Sequence, residues 1–416
     1  MSRMMRSVNL MINPTPLNPV SVEVAPGDRP LGDRSPDDRL QTLQTLLDLV
    51  ISGESVDRAA LVDLSQKDRR WCDAFGLSEA NIEKFVDLQC DWIADWGRDL
   101  GQYWGQVCQR DPEADRAWLV ALWRLWLPLA GRLGQNWKQK REQSSENWIQ
   151  GILGVQGTGK TTLGLLLSWI LERQGLRVVT LSLDDLYKTH GDRQQLQAQE
   201  PRLRWRGPPG THDVALGIAV LDQLRSRCLS GESGTAGDSG TIPTSAPIAL
   251  PRFDKSLWNG SGDRIAPQIV TGADIVLFEG WCVGMRPLAA ENLGQLRSQW
   301  ADESAYQFAL WCHDRLRDYL PLWERLDDLL VFAPQDYRWS LEWRDQAEEK
   351  LRRSGQGAMS RLEVEAFVAY FWTALHPDLF LAPLLSDPRT GLVVEVNRDR
   401  HVGAIYKPQP HRLPNP

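Results

Sequence analysis

The sequence predicts an α/β fold, with a parallel β-sheet covered by helices on both faces and an all-α domain before it. Three observations lead to this prediction. From about residue 148 onward, short apolar runs alternate with helical segments, as they do when crossover helices join parallel strands. Before that point, apolar residues recur at helical spacing, without strand-like alternation. At 416 residues, the chain also exceeds the length that one hydrophobic core usually organises.

Residues 1–147 divide into a tail and a helical domain. Residues 1–38 contain six prolines and no sustained periodicity, which indicates a flexible tail. Because arginines precede the first acid, an organelle transit peptide is the alternative for this segment. Residues 39–147 follow helical spacing and are expected to form four or five helices. Helix breaks are expected at Gly53, Gly76, Pro112 and Pro128.

Residues 148–416 are expected to form the α/β domain. Its strands are predicted from Trp148 and at 177–185, 273–281, 328–334 and 391–397. Its later helices are predicted at 213–229, 313–326, 338–353 and 362–375. Residues 230–247 are rich in Gly, Ser and Thr and are predicted to be a mobile loop.

Composition and charge exclude several classes of protein. The 54 Asp and Glu outnumber the 47 Lys and Arg, and the formal net charge of −7 argues against a nucleic-acid partner. No apolar run approaches the roughly 18 residues of a membrane span, so no membrane partner is expected. The six cysteines form no C-x-x-C pair, and zinc-ligand spacing is absent. We therefore expect reduced thiols and a cytoplasmic location.

A glycine-rich motif of the form G-x-x-x-x-G-K-[ST] follows the first predicted strand and opens a helix. Glycines let consecutive backbone N–H groups surround phosphates, and the helix N-terminus adds partial positive charge. The lysine supplies a cation for the β- and γ-phosphates, and the threonine hydroxyl suits Mg²⁺. The predicted nucleotide site comprises Gly154, Gln156, Gly157, Thr158, Gly159, Lys160, Thr161 and Thr162.

Acidic residues follow the second and third predicted strands, at the sheet edge where ligands bind in open α/β folds. One of Asp184 and Asp185 is expected to accept the proton of an attacking hydroxyl. The other is expected to cap a helix or bind Mg²⁺ through water. Glu279 ends an apolar strand as a Walker B carboxylate does and is predicted to hold Mg²⁺, a structural ion pair being the alternative. Because no N-K-x-D motif is present, ATP is favoured over GTP.

Two polar segments, 204–213 and 251–264, lie between the second and third of these strands. Both combine Pro and Gly turns with cations and acids, which suits a small polyhydroxy acid: cations bind its carboxylate and Asp binds its hydroxyls. The alternative is two solvated loops with ordinary turn chemistry.

Residues 344–360 form a basic helix followed by a Gly-rich hinge, which is the composition of a closing lid. In that case Arg344, with Arg352 or Arg353, would stabilise charge on a transferring phosphoryl group. The alternative is a solvated helix face with Glu–Lys and Glu–Arg pairs.

Six motifs occur in the order seen in the P-loop D-glycerate 3-kinases, which the chain resembles over about residues 148–400. They are GVQGTGKTT, SLDDLY, RGPPGTHD, PRFDKS with GDR, VLFEGW and WRDQAEEKLRRSGQGAMS. The chain looks most like the plant and cyanobacterial branch, and more distantly like the uridine kinase, pantothenate kinase and phosphoribulokinase group. This resemblance implies a P-loop kinase sheet, ATP and Mg²⁺. It also implies phosphorylation of D-glycerate to 3-phospho-D-glycerate, which salvages photorespiratory glycerate.

Carried over to this sequence, the resemblance makes Asp184 the base of the reaction. Lys160, Arg344 and Arg352 become the cations that stabilise the transition state. Leu186 stands where the family often has Phe, a departure without catalytic consequence. The residues expected around the acceptor are Asp185, Tyr187, Arg206, His212, Asp213, Arg252, Asp254, Lys255, Arg264 and Trp281.

Two alternative functions stay open at this stage. One is a P-loop kinase acting on another hydroxylated metabolite, such as a nucleoside, pantothenate or a sugar phosphate. The other is a regulatory ATP-binding module, with the Trp-rich helical domain as its partner surface.

Overall fold

The computed structural model describes residues 36–226, 247–300, 302–353, 355 and 357–409. The predicted tail as far as residue 35 and the predicted loop from 230 to 246 lie outside these residues. The N-terminal segment contains α1 (Pro36–Ser52), α2 (Arg58–Gln66), α3 (Arg69–Phe75), α4 (Ile82–Cys108), α5 (Ala117–Ala121) and α6 (Leu127–Ser144). A π-helical turn, Leu122–Trp126, joins α5 to α6.

The second segment alternates strands with helices. Its first half contains β1 (Trp148–Gly154), α7 (Lys160–Arg173), β2 (Val178–Ser182), α8 (His190–Gln199), α9 (Val214–Arg225), β3 (Ile248–Asp254), β4 (Asp263–Val270) and β5 (Ile275–Gly280). Its second half contains α10 (Leu293–Gln299), α11 (Glu303–Arg315), α12 (Leu320–Trp323), β6 (Asp328–Pro334), α13 (Trp339–Arg353), α14 (Arg361–Ala374), α15 (Pro377–Phe380), β7 (Leu392–Val396) and β8 (Val402–Tyr406).

The main sheet has the strand order β2-β5-β1-β6-β7-β8. Its first five strands are parallel, and β8 pairs antiparallel with β7 at the edge. This parallel sheet with helices on its faces confirms the predicted α/β class. The register places Ser182 beside Glu279 and Glu279 beside Ile152. The carboxyl ends of β2, β5 and β1 therefore meet at one edge of the sheet.

Three strands were not predicted. Strands β3 and β4 form a separate antiparallel hairpin where the sequence predicts only polar loops. Most of β4 is exposed, and it contains Pro267, so it lacks the alternation that marks a half-buried strand. Strand β8 is a short edge strand, and its burial also does not alternate clearly.

The helix break predicted at Pro128 is wrong, because the π-helical turn carries the chain from α5 into α6 without interruption. Proline has no N–H and so leaves the carbonyl four residues earlier, that of Arg124, without its usual donor. The Trp71 indole N–H donates to that carbonyl at 2.7 Å. A side chain from α3 thus satisfies the group that proline frees, and the helix continues.

Close approach of helices explains a glycine stripe on α4. Gly97 and Gly101 are one helical turn apart and buried. A Cβ on Gly97 would lie 3.2 Å from the Ile51 side chain of α1, and one on Gly101 would lie 2.7 Å from the Trp118 ring of α5. The missing side chains therefore let α1 and α5 pack directly on the α4 backbone.

The helical segment packs on the sheet. Arg132 of α6 forms an ion pair with Asp328 of β6 at 2.8 Å, and both side chains are mostly buried. Tyr103 of α4 stacks on Trp169 of α7 with ring centroids 6.2 Å apart. One buried apolar cluster runs through both segments, so the division into domains at residue 147 stays a prediction. None of the helices in the described ranges is both long and apolar enough to cross a membrane.

Candidate active site

The loop between β1 and α7 has the backbone shape expected for phosphate binding. Gly157 and Gly159 have φ values of 81° and 90°, in the left-handed region that glycine adopts without strain. The Thr158 hydroxyl donates to the Val155 carbonyl at 2.8 Å and closes the turn. Helix α7 begins at Lys160, so the N–H groups of its first turn, which have no partner within the helix, come directly after the loop.

Three further residues of the predicted nucleotide site lie in this loop or directly beside it. Gly154 is tightly packed, because a Cβ there would lie 2.6 Å from Thr158 Oγ1 and 3.0 Å from Phe332 Cβ. The Gln156 amide oxygen is buried and has no hydrogen-bond partner within the described part of the chain. Thr162 lies in the first turn of α7.

The Thr161 hydroxyl and the Glu279 carboxylate, predicted to hold a metal ion, lie side by side. The hydroxyl donates to Glu279 Oε1 at 3.1 Å, so two hard oxygen donors converge beside the loop. The described ranges contain no group of three His, Cys, Asp or Glu side chains arranged around one metal position. This donor set fits Mg²⁺, which usually binds through one or two protein oxygens together with water and substrate phosphates.

Lys160 lies near the carboxylates of Glu279 and Asp184. Its ammonium donates to the Val155 carbonyl at 3.2 Å. Burial lowers the pKa of Lys160, and the neighbouring carboxylates of Glu279 and Asp184 oppose that shift. The lysine is thus held near two acids at the carboxyl ends of two different strands, β5 and β2.

Asp184 follows β2 and has two side-chain partners. The Tyr187 hydroxyl donates to its Oδ1 at 2.8 Å, and the Lys255 ammonium donates to its Oδ2 at 2.5 Å. Burial by itself would raise the pKa of Asp184, but the Lys255 charge and these hydrogen bonds outweigh it and hold the pKa at about 2. This carboxylate is therefore ionised at neutral pH.

Asp185 has different partners, in the backbone of β2 and in the β3–β4 hairpin. Its Oδ2 accepts the Ser182 N–H at 3.1 Å in a capping box and forms an ion pair with Arg252 of β3 at 2.9 Å. Arg252 also donates to Gln268 of β4 at 2.6 Å. Asp185 and Arg252, both predicted to contact the acceptor, therefore connect the hairpin to β2. Of the two adjacent aspartates, Asp185 is the one that makes the capping interaction.

Tyr187 and His212 come together although 25 residues separate them in the sequence. Their rings stack with centroids 4.6 Å apart, and their backbones form an isolated antiparallel bridge. His212 is 2% exposed, and burial lowers its pKa to about 3. Its imidazole is therefore neutral at physiological pH.

Arg206, Asp213 and Arg264 surround this stack from different sides. Arg264 donates to the Tyr187 carbonyl at 2.8 Å and forms an ion pair with Asp213 at 2.9 Å. Asp213 also caps α9, where it accepts the Leu216 N–H at 3.0 Å. The Arg206 guanidinium lies 5.8 Å from the centre of the Tyr187 ring. Arg264 and Arg206 therefore contact Tyr187, and Asp213 holds Arg264 in place.

Two other predicted acceptor residues have partners within the protein. Asp254 accepts both the N–H and the hydroxyl of Ser256, at 2.8 and 2.6 Å, in the turn after β3. The Trp281 indole N–H donates to the Gly207 carbonyl at 2.9 Å, and its ring meets the Phe371 ring edge-on. Trp281 thus holds the RGPPG segment in place through its hydrogen bond to Gly207.

The chain is similar in sequence and in structure to known kinases. No protein-family model matches the chain. It is 31% identical over 235 residues to mug58 of Schizosaccharomyces pombe, described as an uncharacterized kinase, and the match covers 54% of this chain and 78% of that protein. The solved structure of D-glycerate 3-kinase from Cryptococcus neoformans is similar with a TM-score of 0.58 and 27% identity, covering 68% of this chain and 99% of that one. This chain belongs to the P-loop kinases related to D-glycerate 3-kinase.

A plant relative extends the comparison. The kinase is 29% identical over 265 residues to the chloroplastic D-glycerate 3-kinase of Arabidopsis thaliana, a match covering 61% of this chain. It spans 53% of that relative, about half its length. The resemblance found in the sequence motifs is thereby confirmed for the family.

The two arginines predicted to belong to a lid form ion pairs along their own helix. Arg344 forms an ion pair with the buried Glu348, whose other oxygen accepts the Met359 N–H at 2.8 Å. Arg352 lies 3.4 Å from Asp345 and 3.3 Å from Glu349. Ion pairing along the helix face, the alternative considered for this segment, is thus what the structure contains, and the lid role stays a prediction.

Two arginines around the site were not identified from the sequence. Arg400 donates to the Gly157 carbonyl at 2.9 Å, from the turn between β7 and β8. Arg193 of α8 is 7% exposed and donates to the Ser261 and Gly262 carbonyls at 2.7 and 2.6 Å, which fixes the hairpin turn. Neither arginine belongs to a motif, so these contacts appear only in the folded chain.

Gly157→Ala is expected to lower the free energy of unfolding by about 2–4 kcal/mol, because strain and a clash act together. The residue has a φ of 81°, and a Cβ would lie 2.6 Å from the Trp343 Cβ of α13. Chemical denaturation monitored by tryptophan fluorescence measures the change.

Gly159→Ala is the matched control for this substitution. Its φ of 90° imposes similar strain, but no atom lies within 4 Å of its added Cβ. Gly157→Ala should therefore be the more destabilising of the two. Equal losses would show that the contact with α13 contributes nothing.

Proposed function

We propose that this kinase transfers the γ-phosphoryl group of ATP to the 3-hydroxyl of D-glycerate, giving 3-phospho-D-glycerate and ADP. The observation that carries the proposal is the cluster in which Lys160 of the glycine-rich loop lies near Asp184, beside the Tyr187–His212 stack. Phosphate-binding groups and a candidate base for a hydroxyl thus share one edge of the sheet. Likeness to two D-glycerate 3-kinases supports D-glycerate as the acceptor.

The phosphates of ATP would bind at the loop from Gly154 to Thr162. Backbone N–H groups and the start of α7 offer donors and partial positive charge. Lys160 would exchange its hydrogen bond with the Val155 carbonyl for one with the phosphates. It would then stabilise charge that develops on the transferring group.

Thr161 and Glu279 would hold Mg²⁺ on the side of the loop that faces β5. Their hydroxyl and carboxylate oxygens are already in contact, which supports the assignment. Bound there, Mg²⁺ supplies positive charge that neutralises the phosphates during transfer.

Asp184 would accept the proton from the attacking hydroxyl of the acceptor. Its carboxylate is ionised, and the Tyr187 hydroxyl and the Lys255 ammonium fix its two oxygens. A base held in this way needs no reorganisation before it takes the proton. The proton moves to Asp184 as the hydroxyl oxygen bonds to phosphorus and ADP leaves on the opposite side.

The acceptor would bind against the Tyr187–His212 stack. A small hydroxy acid needs cations for its carboxylate and polar partners for its hydroxyls. Lys255 is 58% exposed at its side chain and lies beside Asp184. Burial is the main cause of the lowered pKa of His212, and the positive charge of Lys188, another basic residue not identified from the sequence, adds to it. These two cations support an anionic acceptor.

A cytoplasmic location and a part in photorespiratory salvage belong to the same proposal. The cysteines in the described ranges are all free, which supports a reducing compartment. The metabolic role depends on the family resemblance alone.

An acceptor panel tests the proposed function. The purified full chain is assayed with ATP and Mg²⁺ by coupled ADP release, with D-glycerate, L-glycerate, a nucleoside, pantothenate and a sugar phosphate as acceptors. Turnover that depends on D-glycerate, with 3-phosphoglycerate as product, is expected. A rate of ADP release that is the same with and without every acceptor would contradict the proposal and favour a regulatory ATP-binding module.

Lys255→Met is expected to move the acid limb of the kcat–pH profile to higher pH. The Lys255 charge keeps the pKa of Asp184 at about 2, below its ordinary value of 3.8, so the parent base stays ionised in mild acid. Without that charge, burial raises the pKa, and activity is lost as pH falls through the new value. Profiles expressed as the ratio of variant to parent cancel the titration of ATP.

Lys67→Met is the control for this profile, because Lys67 also forms an ion pair with an aspartate, Asp63, but in α2. Its profile should match that of the parent. A Lys255→Met profile with an unchanged acid limb would exclude Asp184 as the titrating base.

A further inference from the structure

Tyr319 is a buried residue whose hydroxyl contacts the proposed acceptor site. It ends the 3₁₀ turn Leu316–Tyr319, just before α12, and its exposed fraction is 0%. The Gly210 N–H donates to the Tyr319 oxygen at 2.9 Å. The same oxygen lies 2.7 Å from His212 Nδ1. The hydroxyl therefore links the glycine turn of the RGPPGTHD motif to its histidine.

These contacts decide where the histidine proton lies. Burial raises the pKa of Tyr319 well above its ordinary value and lowers that of His212, so both groups are neutral. The phenol has one proton, and His212 Nδ1 is the acceptor found for it among the described residues. Because Nδ1 accepts, the single proton of the neutral imidazole is on Nε2.

The Nε2–H group is left without a partner. His212 is 2% exposed, and its Nε2 atom has no hydrogen-bond partner within the described part of the chain. The ring stacks on Tyr187, whose hydroxyl donates to Asp184. A buried donor beside the candidate base is therefore available for an oxygen atom of a ligand.

We propose that Tyr319 is a positioning residue, which holds His212 as the Nε2–H tautomer so that it donates a hydrogen bond to an oxygen of the acceptor substrate. The proposal rests on the proposed function, since it assigns one contact of that acceptor site. The acceptor must present a hydroxyl or carboxylate oxygen next to the reacting group. An analogue without that oxygen would leave the buried donor unpaired and bind poorly.

The first test is the tautomer itself. Long-range ¹H–¹⁵N correlation spectra of the full chain, assigned to His212 by His212→Gln, report which ring nitrogen carries the proton. The substrate-free parent is expected to show the proton on Nε2. Tyr319→Phe removes the donor to Nδ1, so the Nε2–H form should lose population. A parent spectrum with the proton on Nδ1 would overturn the proposal.

The second test is kinetic. Tyr319→Phe is expected to raise KM for the acceptor about fivefold to tenfold, the effect of about one hydrogen bond, with kcat and KM for ATP changing less than about twofold. Tyr370→Phe is the matched control, because Tyr370 is 4% exposed and its hydroxyl donates to the Trp205 carbonyl instead. Equal effects of the two substitutions on KM for the acceptor would overturn the proposal.

A further pair of variants covers the case in which Tyr319→Phe does not fold. Glutamine carries an amide N–H near the position of His212 Nε2, whereas leucine carries no donor. His212→Gln should therefore bind the acceptor more tightly than His212→Leu. Equal KM values for the acceptor would contradict the donor role.

The outcome is separable from that of the proposed function. If the parent phosphorylates another acceptor in place of D-glycerate, the proposed function fails, and the KM comparison is made with that acceptor. If the parent phosphorylates D-glycerate and Tyr319→Phe leaves its KM unchanged, the proposed function stands and the positioning role fails.

Discussion

Asp184→Asn is expected to lower kcat by about 10²- to 10⁴-fold, the range seen when a general base is lost. Asparagine has nearly the shape of aspartate, and its amide oxygen still accepts the Tyr187 hydroxyl that now binds Oδ1. It cannot take a proton, and it loses the ion pair with Lys255. Binding of ATP should change little, because the glycine-rich loop does not depend on this carboxylate.

The measurement combines turnover by coupled ADP release with ATP affinity by calorimetry. Asp222→Asn is the control, since Asp222 forms an ion pair with Arg325 at 2.8 Å and belongs to no part of the proposed site. Its kcat should equal that of the parent. If both variants turned over at the same rate, the base would have to be another residue.

Lys160→Ala is the substitution with the second large expected effect. It should lower kcat by about 10²- to 10³-fold, comparable to the loss of one charge-stabilising group in a transition state. Affinity for ATP should fall as well, because the ammonium binds the phosphates before transfer. The fold should be retained, since the described contact that is lost is one hydrogen bond to the Val155 carbonyl.

Lys138→Ala provides the comparison for this variant. Lys138 is exposed on α6, so its removal changes the net charge equally without touching the loop. Turnover and ATP affinity are measured for both variants, and thermal melting confirms folding. A Lys160→Ala protein with parental turnover would contradict the proposed role of the lysine.

The strands of the parallel sheet could be predicted because each carries its own signal. A buried parallel strand is apolar along its length, as in the run from Ile275 to Phe278, and it needs no partner to be recognised. The glycine-rich loop is equally local, since its backbone angles depend on glycine at fixed positions. The hairpin β3–β4 lacks such a signal, because most of β4 faces solvent.

The continuation of the helix through Pro128 shows the limit of local rules. Proline does remove a donor, as the sequence rule assumes. The outcome depends on Trp71, 57 residues earlier, whose indole satisfies the freed carbonyl of Arg124. A contact of that range cannot be inferred from residues near the proline.

The two aspartates after β2 show that local sequence signals also have limits in the candidate active site. The sequence predicted that one aspartate would serve as base and that the other would cap a helix or bind Mg²⁺ through water, but identical side chains in adjacent positions cannot be told apart by composition. Their partners distinguish them: Lys255 and Tyr187 bind Asp184, whereas Ser182 and Arg252 bind Asp185. Two of these four contacts, those of Lys255 and Arg252, involve side chains that the fold brings close from distant parts of the chain.

The sequence by itself determined the fold class, the position of the glycine-rich loop and the set of residue types at the carboxyl edge of the sheet. These features follow from short-range periodicity and from backbone angles that neighbouring residues impose. The tertiary structure alone decided which charges are paired, as for Arg264 with Asp213, and which buried polar group has no partner among the described residues, as for His212 Nε2. The reason is physical: pairing and burial depend on distances between residues far apart in the chain, and packing sets those distances.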